Sequence, residues 1–245
     1  MPDSFGIVED KLREAEFFLD HLYRSNHLSF DGRCFFSAFV SAARSVTFAM
    51  QASLKGIANF DQWYDAVRTS LKTDHLAPYF VEIRNDVVHK GRNPLDMVTL
   101  EHLSDHLSQQ FGRHDRPHVI IVPDPDRSNR TVLLDATQAC TDYFTSLVLI
   151  TFDCYERFKT VVDSRWYFTE ENFQSMGRTF EDALTDLGFP SDWVSGIPVD
   201  AAAWRALRLQ QSPCQINDIF WRYLSKTISD PDDEIVEPKP GSASF

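Results

Sequence analysis

The sequence predicts a mainly α-helical chain carrying a small β-hairpin insertion and a C-terminal helical appendage. Apolar residues recur at three- and four-residue steps through most of the 245 residues, the period of helices buried along one face. Only HVIIV (118–122) and TVLLD (131–135) read as strands, and the turn-rich PDPDRSNR between them makes a hairpin. With 43% hydrophobic residues, a chain of this length can bury a real core.

From Ile7 to His27, Val8, Leu12, Ala15, Phe18, Leu19 and Leu22 form one apolar face with acids between them, which predicts an amphipathic first helix. FDGRCFFSAFVSAARSVTFAMQASL (30–54) is apolar nearly all round, with a thin polar stripe of Ser37, Ser41, Arg44 and Gln51. Such a helix is expected at the centre. FDQWYDAVRTSL (60–71) follows, with Asn59 or Asp61 as its cap. Pro78 then opens PYFVEIRNDVVHK, which Gly91 can end in a left-handed cap. Asn93-Pro94 begins an expected fifth helix, with Leu100, Leu103, Leu107 and Phe111 on one face and Gly112 to stop it.

Because an isolated hairpin is marginal in water, the one at about 118–135 must lie against helices. Asp135 or Thr137 caps a long helix through DYFTSLVLITFDCYERFKTVV that ends near Asp163. The core is expected at 1–163. A helical extension at 164–228 follows. Thr169, with Glu170 and Glu171, opens a helix whose stripe is Phe173, Met176, Phe180, Leu184 and Leu187, stopped by Gly188 and Pro190. Asp200 caps AAAWRALRL, and Ser212 with Gln215 supplies a capping box before INDIFWRYL. The acidic, Pro-containing 229–245 lacks apolar periodicity and is expected to be disordered.

Thirty-six acids against twenty-four bases give a formal charge of −12, which opposes indiscriminate binding to nucleic acid or an anionic membrane. A polyanion would need a local basic patch. The four cysteines contain no C-x-x-C pair and read as reduced, mostly buried thiols. No signal-peptide pattern opens the sequence, and apolar runs such as SLVLITF (146–152) fall short of the roughly 20 residues of a spanning helix. A cytoplasmic location with no membrane partner is the expectation.

One cluster stands out as chemistry. RNDVVH (84–89) places Arg84, Asn85, Asp86 and His89 in an otherwise apolar helix. Arg-to-His spacing alone decides nothing, because Arg68 to His75 and Arg113 to His118 have similar spacings. Arg113 to His118 includes Pro117 and belongs to a loop, and Arg68 to His75 crosses a polar junction. Arg-Asn followed four residues later by His is rarer, expected about once in sixty chains of this composition.

RNDVVH, with the long apolar helix 30–54 and the short helix before the motif, resembles the HEPN (higher eukaryotes and prokaryotes nucleotide-binding) domain family. Its ribonuclease members carry Arg, a polar residue, three to five more residues and His. The resemblance covers at most 1–163 and is detailed from about 30 to 92. It implies an antiparallel helical bundle and a metal-independent endoribonuclease in which the ribose 2′-hydroxyl attacks the adjacent phosphate. Arg84 would brace the phosphate and His89 would handle protons. Asn85 and Asp86 would orient these groups, and Lys90, Arg92 and Arg44 would add positive charge.

On an ideal helix Arg84 and His89 lie about 140° apart, so one helix is a poor site. The resemblance answers this with a homodimer in which two motif helices meet, acting on RNA without a cofactor. It fits a role in defence or as a toxin, where a neutralising protein or a nucleotidyltransferase would be a partner. Ending the helix at Gly91 puts His89 in its last turn, where the negative end of the dipole favours imidazolium. The alternative is a catalytically silent dimeric helical module that binds a nucleotide or a protein. His102 and His106 have a helical metal-ligand spacing but no second pair, so no metal site is assigned.

Overall fold

The computed structural model describes residues 5–97, 118–123, 131–190 and 199–233. The chain is mainly helical, with a small antiparallel sheet, and falls into two compact units. The first runs from Gly6 to Ile150, and the second takes Phe5 together with the chain from Thr151 onward.

In the first unit, α1 (Gly6–Arg24) packs along α2 (Phe30–Leu54) through Val8, Leu12, Ala15, Leu19 and Leu22, the face that the periodicity marks. Ser29 caps α2 by accepting the Gly32 N–H at 3.0 Å. Helix α3 (Phe60–Thr73) has Asn59 at its cap position in a left-handed conformation, without a side-chain cap bond. Before α4 (Ala77–Lys90), the Asp74 carboxylate accepts the N–H groups of Leu76 and Ala77 at 2.8 and 2.7 Å. Both α2 and α3 contact α4. Phe80 anchors α4, stacking on Tyr143 with centroids 4.1 Å apart and meeting Phe39 edge-on at 6.3 Å. An offset-stacked and a T-shaped pair around one ring are the arrangements that aromatic quadrupoles favour.

The three strands β1 (Leu95–Met97), β2 (His118–Pro123) and β3 (Thr131–Asp135) form a sheet in that order, with Leu95 opposite Ile120 and Ile120 opposite Leu134. The hairpin therefore forms as its sequence predicts. A helix starting at Asn93-Pro94 does not. The Asn93 side chain accepts the Leu95 N–H at 3.0 Å, holding a turn after which residues 95–97 pair with β2. The rest of that expected helix, 98–117 with His102 and His106, lies outside the described residues. Asp135 caps α5 (Ala136–Val162) through the Gln138 N–H at 2.8 Å.

The second unit contains the C-terminal part of α5, then α6 (Ser164–Tyr167), α7 (Glu170–Ser175), α8 (Phe180–Asp186), α9 (Ala201–Leu209) and α10 (Asn217–Leu224). Phe168, Phe173, Ala183, Leu184, Trp204 and Leu207 form a small core. The single helix expected from Thr169 onward is two. Gly177 breaks it at φ 67°, and a capping box of Thr179 and Asp182 restarts it. The apolar stripe continues across the break because both short helices face the same core. Ser212 and Gln215 do not cap α10, which has Ile216 at its cap position and no side-chain cap bond.

Three aspartates tie this unit together. Asp163 accepts the Arg165 N–H at 2.7 Å with one oxygen and the buried Tyr155 hydroxyl with the other. Burial and the adjacent Asp163 carboxylate push the Tyr155 phenol far above its ordinary value. Residues 229–233, the start of the segment expected to be disordered, are tied down. The Ser229 carbonyl accepts the Trp166 indole N–H at 3.0 Å, Asp230 pairs with Arg165, and Asp232 pairs with Arg208 at 2.5 Å. Of the four cysteines, none is in a disulfide; Cys140 and Cys154 are buried, Cys34 is exposed and Cys214 is half-buried. Among the described residues, no helix is long and apolar enough to cross a membrane.

Candidate functional site

The motif occupies the last two turns of α4. Phe80 and Ile83 bury one side of the helix and leave the other facing outward. Gly91 ends it at φ 63°, ψ 21°, a left-handed conformation in which a side chain is strained. The Asp86 carbonyl accepts the Arg92 N–H at 3.0 Å, and the Asn93 side chain donates to the Arg33 carbonyl at 3.3 Å. The first bond closes the end of α4, and the second fixes it against the start of α2. Gly91 signals the first in the sequence, whereas nothing local signals the 60-residue reach from Asn93 to Arg33.

Within one chain, Arg84 Nη1 lies 2.8 Å from His89 Nε2. The helical angle of about 140° between the two Cα positions is spanned by the length of the arginine side chain. A guanidinium can only donate, so Nε2 is the acceptor and the imidazole proton sits on Nδ1 in this arrangement. Asp86 pairs with Lys90 at 2.5 Å and is thereby occupied away from the imidazole. Asn85 makes no side-chain hydrogen bond among the described residues. Neither Arg84 nor Arg92 has a carboxylate partner among them, so the end of α4 carries net positive charge on an acidic protein.

Arg44 is not brought to this cluster. Its guanidinium lies 4.4 Å over the Phe48 ring, and its Nη1 donates to Thr47 Oγ1 at 3.3 Å. Arg33 is level with the end of α4 and Phe39 with Phe80, so α2 and α4 run antiparallel. Arg44 is therefore displaced roughly 16 Å along α2 from the motif end. Its charge acts on Tyr64 and Tyr143, whose hydroxyls burial raises, Tyr143 to about 12.

Val81 and Val88 add an apolar element to the outward face of α4. They are 36% and 45% exposed and, seven residues apart, share a face. Around the helix they fall between Arg84 on one side and Asn85 and His89 on the other, within about 140° of arc. The outward face of α4 thus has an apolar strip bordered by polar groups. Among the described residues, no group of three His, Cys, Asp or Glu side chains could hold a metal ion.

Residues 24–135 match the family model described as bacteriophage lambda protein ea47. The matched stretch includes α2, α3, α4 and all three strands, and hence RNDVVH. No curated protein and no solved structure matches the chain.

Proposed function

We propose that the chain is a metal-independent endoribonuclease of HEPN type. The observation that carries this reading is the 2.8 Å contact between Arg84 Nη1 and His89 Nε2 at the end of α4. It puts a fixed cation beside a titratable nitrogen with no carboxylate attached to either among the described residues. The reaction requires a group that takes the proton from the ribose 2′-hydroxyl and a cation for the charge that grows on the phosphate. His89 Nε2 takes the proton. The 2′-oxygen then bonds to phosphorus, the bond from phosphorus to the 5′-oxygen breaks, and the departing oxygen gains a proton. The products are a 2′,3′-cyclic phosphate and a 5′-hydroxyl.

In the resting contact, Arg84 occupies the Nε2 lone pair. An incoming phosphate draws the guanidinium onto its oxygens, the geometry its fork favours, and frees Nε2 to act as base. A single chain then supplies one proton carrier. The exposed strip of Val81 and Val88 suits a second copy docked face to face, and its His89 would protonate the leaving oxygen. Isologous pairing of this kind is the commonest oligomeric arrangement.

The test is cleavage of single-stranded RNA by purified protein in the presence of a chelator. Arg84→Ala and His89→Ala are each expected to lower the rate by roughly 10²- to 10⁴-fold, and the wild-type product should carry a 2′,3′-cyclic phosphate. Cleavage that persists in either variant overturns the assignment. The same apolar strip also favours a second reading, a dimeric module that binds without cutting. A dimer in solution with no RNA cleavage would select it.

A further inference from the structure

The second unit contains a cavity of about 680 Å³ lined by Trp166, Glu170, Glu171, Trp204 and Arg208 among others. That volume lies in the range of roughly 300 to 1,000 Å³ that holds small organic molecules. Arg208 sets its chemistry. The side chain is 6% exposed, and Nε and Nη2 both donate to the same oxygen of Asp232, at 3.2 and 2.5 Å. Nη1 has no partner among the described residues. Arg208 contributes to the cavity wall, so a guanidinium N–H without a protein partner can donate to an acceptor on whatever fills the cavity.

The carboxylates supply the opposite need. Glu171 has no side-chain partner among the described residues, and Glu170 spends only Oε1, on the Gln174 amide at 3.0 Å. Both can take N–H groups from a ligand, and both repel phosphate. The two indoles give the wall planar apolar surface beside the polar Thr160, Thr169, Asn172 and Ser175. Lys159 Nζ sits 4.0 Å over the Trp166 ring, and Trp166 also contributes to the cavity wall, where an indole can meet a flat ligand.

We propose that this cavity binds a guanine base. Among the nucleobases, guanine presents adjacent N–H donors, N1–H and the 2-amino group, to a carboxylate while offering O6 and N7 to an arginine. Adenine lacks the N1–H donor and directs its 6-amino group at the place where Arg208 needs an acceptor. The flat ring stacks on an indole, as unpaired bases do on aromatic side chains. The base can arrive as a free nucleoside or as an unpaired residue of RNA. A site whose polar groups match one ligand discriminates strongly against its analogues, because those groups are otherwise left unpaired.

The test is tryptophan fluorescence and calorimetry on the full chain with guanosine, adenosine, cytidine and guanosine 5′-monophosphate. Guanosine is expected to bind at least tenfold more tightly than the other two nucleosides and more tightly than its monophosphate. A short oligouridylate with one internal guanosine, compared with the all-uridine strand, separates the two sources. A gain only for the free nucleoside assigns the cavity to a small molecule, and a matching gain for the strand assigns it to RNA. Glu170→Gln with Glu171→Gln should weaken guanosine at least tenfold while leaving the melting temperature unchanged. Equal binding of guanosine and adenosine, no binding of either, or full guanosine affinity in that folded double variant overturns the proposal. Binding is read without any cleavage step, so the α4 ribonuclease can fail while this site stands.

Discussion

Removing Asp232 strips the neutralising charge from an arginine that the fold has taken out of water. Arg208 and Asp232 are 6% and 9% exposed and meet at 2.5 Å, so both side chains are largely withdrawn from water. Breaking a pair of this kind from one side is expected to destabilise by roughly 3 to 5 kcal/mol, because the remaining ion stays buried without a partner. Asp232→Ala should therefore lower the denaturation midpoint sharply in a urea titration followed by fluorescence of the second unit, where Trp166, Trp204 and Trp221 reside. The control is Asp153→Ala. It breaks the Arg157–Asp153 pair at 3.0 Å, whose side chains are 58% and 48% exposed, and such pairs contribute about 0 to 1 kcal/mol. Replacing both buried partners, Arg208→Met with Asp232→Leu, should recover most of the lost stability, since hydrophobic substitutes for a buried pair are often neutral or better. Equal losses for Asp232→Ala and Asp153→Ala, or no recovery in the double variant, would refute the reasoning.

Three other predictions rest on single features. Gly91→Ala forces a β-carbon into the left-handed cap at φ 63° and should reduce stability by roughly 1 to 2 kcal/mol, measured by thermal melting. Hydrogen bonding to Arg178 holds the Asp186 carboxyl below its ordinary value against the opposing effect of burial. The stability it contributes is full above the normal carboxylate range near about pH 4 and is lost as pH falls through the lowered native value. The stability difference between wild type and Asp186→Asn should accordingly shrink on acidification. In the folded protein, the exposed Cys34 should be alkylated first by iodoacetamide. Cys140 and Cys154, whose thiols burial pushes far up, should resist until denaturant is added, as mass spectrometry after timed quenching would record.

What could be read from the sequence was local. The end of α4 follows from Gly91, which acts within a turn of its own position. The three-residue β1 exists because residues 118–120 are there to pair with it, and no propensity inside LDM would reveal that. The break at Gly177 is masked because the stripe from Phe173 to Leu184 serves one core on both sides of it. At the candidate site, the spacing correctly puts Arg84 and His89 on different parts of the helix surface. It says nothing about how far an arginine side chain reaches, and that reach closes the contact to 2.8 Å. The exposure of Val81 and Val88 was hidden for a related reason. A valine in an apolar helix reads as core until the packing shows which side is covered.

The pairs that fasten residues 229–233 also impose an order of events during synthesis. Arg165 precedes its partner Asp230 by 65 residues, and Arg208 precedes Asp232 by 24. At roughly 5 to 20 residues per second, the ribosome makes Arg165 about 3 to 13 s before the carboxylate that neutralises it. The helices of the second unit can form in that interval, but their arginines must stay hydrated until the strap arrives. Completion of this unit is therefore timed by the emergence of its last few aspartates, and a chain halted before residue 230 would leave Arg165 and Arg208 without the carboxylates that neutralise them.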